Sequence, residues 1–246
     1  MATPSMLLLL ADGRFPAGAH AHSCGLEAAV AAGRVTDLAT LGEYLRGRLA
    51  TAGLVAAAFA AAACRVAGSD HTTPVRPPPM DTDLTRPGQR RRATLVLLDA
   101  ELDARTVSPA QRAVSRRQGR ALLRAGREIW PGDIFAGLPA TPGGPHQPLV
   151  LGLVGAAARL DPAQVATVAA HATVTGSASA AVRLLGLDPY QVQALLVRLA
   201  AACDAVAARA ARAAEGAPHR LPAATAALAD IHAEAHATWE VRLFAS

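Results

Sequence analysis

Three stretches of this 246-residue chain open a helix in the same way, and they constrain its fold more than any other feature. They are Ser108-Pro109-Ala110-Gln111, Asp161-Pro162-Ala163-Gln164 and Asp188-Pro189-Tyr190-Gln191. Each sets out an N-cap oxygen for an otherwise unpaired amide and a proline at the first helical position, where no donor is missed. A glutamine follows that can reach back to the cap. Leu160 and Leu187 stand before the last two caps and can staple to Val165 and Val192. Hydrophobic residues make up 52% of the chain and aromatics 3%, and much of the apolar share is alanine. Alanine has the best helix propensity and buries little area, so this composition describes closely packed helices rather than a large aliphatic core. Runs of strand length rich in β-branched residues are few. The expectation is an all-α, single compact domain over 1–246, with about nine helices at 23–32, 37–50, 53–66, 95–104, 108–128, 148–159, 161–185, 188–214 and 221–240.

The stretch Gly68–Arg92 differs in kind, with Pro74, Pro77-Pro78-Pro79, Pro87-Gly88 and then Arg90-Arg91-Arg92. It reads as a non-helical, disordered surface insertion, dispensable for stability. A second loop, Pro131–Pro148, holds Thr141-Pro142-Gly143-Gly144-Pro145.

All 24 basic residues are arginine, the net charge is +5, and the pI is near 10, which favours acidic partners. The absence of lysine excludes a phosphate-binding loop of the G-x-x-x-x-G-K-[ST] type and any Schiff-base lysine, so no nucleotide site is expected; no nucleophile-elbow pattern and no paired carboxylates in a loop appear either, and no enzyme activity is expected. Cys24, Cys64 and Cys203 are widely spaced with no C-x-x-C pair, which fits a reducing cytoplasm. Residues 1–11 include an apolar run without a cationic start, a poor signal peptide, and Leu49–Cys64 is short for a membrane span. A soluble, cytoplasmic chain with no membrane partner is expected.

Three clusters could carry chemistry. His20, His22 and Cys24, if extended, point one way at a two-residue period and are weak candidates for a nickel or zinc patch beside the plain reading of a loop into a helix capped by Ser23. His232 and His236 share a helix face, but Glu234 between them is out of place for a zincin, which leaves solvated or interface histidines. Arg112, Arg116, Arg120, Arg124 and Arg127 form a stripe, with Arg117 beside it, that reads as a solvated face or a dock for an acidic protein or phosphate backbone. No aromatic interleaving or recognition module supports nucleic acid. On the residues alone this is a basic, all-helical, non-catalytic interaction protein.

Phe15-Pro16-Ala17-Gly18-Ala19-His20-Ala21-His22-Ser23-Cys24-Gly25-Leu26-Glu27 resembles the F-P-x-G-x-x-x-H-S-x-G-L-E signature of the UreF family. Similar landmarks follow in order: Ser115-Arg116-Arg117-Gln118-Gly119-Arg120, His146 with Gly152, Gly176–Leu185 including Arg183, then His236 and the terminus Arg242-Leu243-Phe244-Ala245-Ser246. Where many members have P-L-G-Q, this chain has Gly186-Leu187-Asp188-Pro189. The resemblance implies an all-α homodimer that binds UreD (also called UreH), recruits the GTPase UreG and helps deliver nickel to apo-urease, with no cofactor of its own. It implies partner contacts at Phe15, Pro16, His22, Glu27, Arg116, Gln118, Arg120, Arg183, His236, Arg242, Leu243, Phe244 and Ser246. The tail 242–246 is expected to dock in a partner, so that its removal spares stability, the alternative being that Leu243 and Phe244 fold back onto the chain's own helices. Two readings of other classes stay open from the residues: a stand-alone nickel or zinc binder using His20, His22 and Cys24, and a basic nucleic-acid regulator.

Overall fold

Seven consecutive positions, Ala57–Ala63, are alanine except for Phe59, and all are buried in one helix that its neighbours approach closely. That helix is α4 (Leu54–Gly68), and α7 (Gln147–Ala157), α8 (Pro162–Leu185) and α9 (Pro189–Ala213) pack around it. On α7, Gly152 lies so near α4 that a β-carbon there would overlap the Ala60 carbonyl oxygen, and one on Gly155 would overlap Val165 of α8. Small residues thus let backbones meet, and dispersion contacts accumulate over a short interhelical distance.

The structure is a computed structural model and describes residues 4–16, 21–68 and 87–244. Gly18, Ala19, His20, Ser246 and residues 69–86 of the proline-rich insertion lie outside the described residues. The remaining helices are α1 (Pro4–Ala11), α2 (Leu26–Ala31), α3 (Leu38–Arg48), α5 (Pro87–Arg105), α6 (Pro109–Ile129) and α10 (Ala227–Ala237). No strand occurs among the described residues, and the fold is all-α. α3 and α4 run on through a π-helical turn, Leu49–Gly53, so the described helices form nine rods.

The three helix starts lie at the expected residues. Asp161 makes a capping box with Gln164, accepting its amide at 2.8 Å, while the Gln164 side chain accepts the Asp161 amide at 3.0 Å. Ser108 accepts from the Gln111 amide at 3.1 Å, but the Gln111 side chain donates instead to Asp230 of α10 at 2.9 Å. Asp188 caps through the Tyr190 amide at 2.9 Å.

Four expectations are corrected. Residues 4–11, read only as an apolar run, form α1, which packs on α8 and buries Leu10. No break separates 37–50 from 53–66, because the π turn bridges them and Gly53 lies against Thr173 of α8. Residues 87–92, assigned to the non-helical insertion, begin α5. Proline is tolerated in a first turn, and Arg91 anchors this one by donating to the Ile134 carbonyl. The last helix starts at Ala227 rather than 221, since Leu221 precedes a proline and is held extended.

Two helical stretches, Leu38–Gly68 and Pro162–Leu185, are long and apolar enough to cross a membrane. Of their most apolar windows, 67% and 56% are buried inside the fold, as in core helices.

Candidate functional site

Glu27, in the first turn of α2, gathers the chain's C-terminal segment. Its carboxylate accepts the Leu243 amide at 2.8 Å and the Phe244 amide at 3.1 Å, and faces His236 Nε2 on α10 at 2.9 Å. Burial alone would raise this carboxyl, but the two tail amides and His236 outweigh it and hold Glu27 below the usual range. The turn leading into α2 is also built for the purpose. Cys24 and Gly25 both have positive φ, 58° and 86°, so the backbone reverses sharply, and Ser23 accepts the Glu27 amide at 3.3 Å. Tyr44 and Arg48 donate to the Cys24 carbonyl at 3.0 and 2.5 Å, fixing the turn from α3.

The tail folds back in part. Phe244 is only 4% exposed, and the Arg183 guanidinium of α8 sits 4.6 Å from its ring centroid. Leu243 is 76% exposed and Val241 89%. Phe244 therefore packs on its own chain, contrary to a wholly docked tail, while Leu243 and Val241 are left outward. His236, read as solvated or interfacial, is buried and 4.8 Å from the Trp239 ring. α10 is tied to α6 as well, for Glu234 accepts from the Ser108 hydroxyl and, at 2.9 Å, from the Ala110 amide. A carboxylate at that helix start also meets the positive end of the α6 dipole.

The arginine stripe divides. Arg116 is 15% exposed at its side chain and pairs with Asp99 at 3.1 Å and Asp103 at 2.6 Å, both on α5, while donating to the Gly144 carbonyl at 2.6 Å. Arg112 donates to the Thr106 carbonyl at 2.6 Å, and Arg120 donates to that of Gly143. His146 completes this network, with its amide on Asp99 at 3.1 Å, Nε2 on Asp103 at 3.1 Å and Nδ1 on Ser115 at 3.0 Å. Burial and the nearby Arg116 push the imidazole down, so it is neutral near pH 7, with Nε2 donating to Asp103 and Nδ1 accepting from Ser115. Gly119 lets the Pro145 carbonyl cross α6 where any β-carbon would overlap it. The Ser115–Arg120 landmark thus binds the 131–146 loop to α6.

Of the other expected residues, Phe15 is half-buried against the core, Pro16 is exposed, and His22 is buried. No group of three histidine, cysteine or acidic residues that could hold a metal occurs among the described residues. Gln118, Arg242 and His236 line a cavity of about 440 Å³, together with Arg48, Arg105 and Thr173. Sequence reasoning missed Asp99 and Asp103, and read Glu234 only as misplaced for a zincin. The one signal was the presence of two acids four apart on α5, opposite an arginine-rich helix.

The class that these features define is an all-α protein whose dispersed landmarks meet in two polar frameworks, a C-terminal clamp and an arginine-held loop. The model of the UreF family matches residues 35–200, and the chain belongs to that family of urease accessory proteins. It is 44% identical, over the full length of both chains, to a protein named urease accessory protein UreF from Mycobacterium sp. strain JLS. It is 41% identical over the full length of both to one of that name from Mycolicibacterium vanbaalenii. The protein of that name from Mycobacterium tuberculosis H37Rv is 40% identical over 209 residues, covering 84% of this chain and 85% of the relative.

Proposed function

We propose that this chain is a non-catalytic bridging chaperone of urease maturation. In this reading it acts in the cytoplasm as a homodimer, binds UreD through its C-terminal face and recruits UreG, and the assembly inserts nickel into apo-urease. The observation that carries the reading is the convergence of Leu26-Glu27, Arg183, His236 and the 242–244 tail on one clamp, with apolar side chains left outward beside it. Val241, Leu243 and Ile231 are exposed on the same C-terminal segment, and apolar groups ringed by polar ones suit a protein partner. The inner half of the clamp holds the segment in place, and the outer half is free to bury area in UreD. Lacking lysine, the chain leaves GTP hydrolysis to UreG. Nickel is cargo of the complex rather than a resident cofactor.

Co-expression of the tagged chain with UreD, UreG and apo-urease tests this. The expected result is co-purification of all three accessory proteins and urease activity that depends on both nickel and the chain. Urease that matures equally without the chain, with no UreD retained on it, would refute the reading.

A further inference from the structure

The far end of the arginine stripe is held less than its start. Arg124 and Arg127 are exposed and make no ion pair or hydrogen bond with any described residue, and Arg120 is held by one loop carbonyl. Arg127 lies in the last turn of α6, where the helix dipole favours a cation. Arg120 and Arg124 have no such reason. All three line one groove of about 590 Å³ between α6 and the 138–145 loop. Its other lining is mainly apolar, with Leu123, Leu138 and Pro139, and Glu128 is its one acid.

We infer that this groove binds an acidic, extended segment of a partner protein in which carboxylates alternate with apolar side chains. Arg120, Arg124 and Arg127 are separated by about 6 Å and then about 4.5 Å of helix rise. Alternate side chains of an extended peptide recur about every 6.6 Å, which matches the Arg120–Arg124 step, and the long Arg127 side chain spans the difference of about 2 Å at the second step. The residues between the carboxylates point the other way, onto Leu138 and Pro139. Guanidinium forks suit carboxylates, and charge complementarity across a groove steers association. A nucleic acid would leave the apolar wall unused, and no aromatic lines the groove to stack a base. The inference is independent of the urease reading, because the groove and its test involve the chain alone.

The test is fluorescence anisotropy with a short fluorescein-tagged peptide of glutamates alternating with leucine and alanine. The wild-type chain is expected to bind it, less tightly as salt rises. Arg124→Glu with Arg127→Glu should weaken binding about tenfold or more. Arg209→Glu with Arg212→Glu, on exposed positions of α9, makes the same change in net charge and should weaken it less than about threefold. Arg124→Gln with Arg127→Gln should fall between wild type and the charge reversal. Melting temperatures within about 4 °C of wild type are expected, as these side chains make no ion pair or hydrogen bond with any described residue and only the reversal at Arg127 opposes the helix dipole. Equal losses from the α6 and α9 reversals would overturn the inference, as would no peptide binding by wild type. It would also fail if an oligothymidylate of equal charge bound more tightly and lost as much in the α6 variant.

Discussion

Around α4 the helices meet through alanine methyls and bare glycine backbone, whereas at the clamp α2, α10 and the tail meet on a single carboxylate. The first arrangement is a broad area in which every position contributes a little and none can grow. The second is a point at which one group satisfies several donors, so its removal strands them all. The core therefore tolerates loss of side-chain atoms better than gain, and the clamp has the opposite sensitivity. The clamp also leaves its outer side chains available, which the core does not, and the proposed partner face lies there.

The comparison breaks most readily at Gly152. Gly152→Val puts branched carbon where Ala60 and Cys64 of α4 already sit, and a loss of about 3 kcal/mol or more is expected in urea unfolding. A neutral outcome would mean that α4 and α7 are not in backbone contact. Glu27→Ala strands the Leu243 and Phe244 amides and His236, and should cost about 2–3 kcal/mol in the same measurement. Glu27→Gln keeps an acceptor and should cost about half as much. Removing 242–246 should likewise lower the melting temperature, since Phe244 leaves its site under Arg183; an unchanged melting temperature would restore the wholly docked tail.

The pH dependence sharpens the same point with a smaller effect. The Glu27 carboxyl is depressed in the folded chain, so its contribution is complete above the ordinary value of 4.5 and is lost as pH falls through the lower folded value. The stability advantage of wild type over Glu27→Gln should therefore shrink as pH falls below about 4.5. An advantage that grew as pH fell through that range would contradict the amide-bound carboxylate. Smallest of all, Leu243→Ala should change stability by less than about 0.5 kcal/mol, as befits an exposed side chain.

The helix starts at Ser108, Asp161 and Asp188 were legible because cap, proline and first turn are neighbours in sequence. Long-range partners were not. Nothing local to Glu27 announces His236 or the tail amides more than 200 residues on. Arg116 and Arg124 read alike in the stripe, yet α5 presents Asp99 and Asp103 to the first and no acid to the second. Proline misled at Pro87, where a residue that breaks helix interiors opens a helix. The family landmarks pointed to the clamp residues, but which side of the tail faces inward depends on packing.

The central claim is that the clamp's inner groups hold the fold while its outer groups hold the partner. Val241→Asp with Leu243→Asp tests it most directly, measured as co-purification of UreD beside the melting temperature of the isolated chain. The expected result is loss of the UreD complex with the melting temperature within about 2 °C of wild type. UreD retained at wild-type yield would contradict the account.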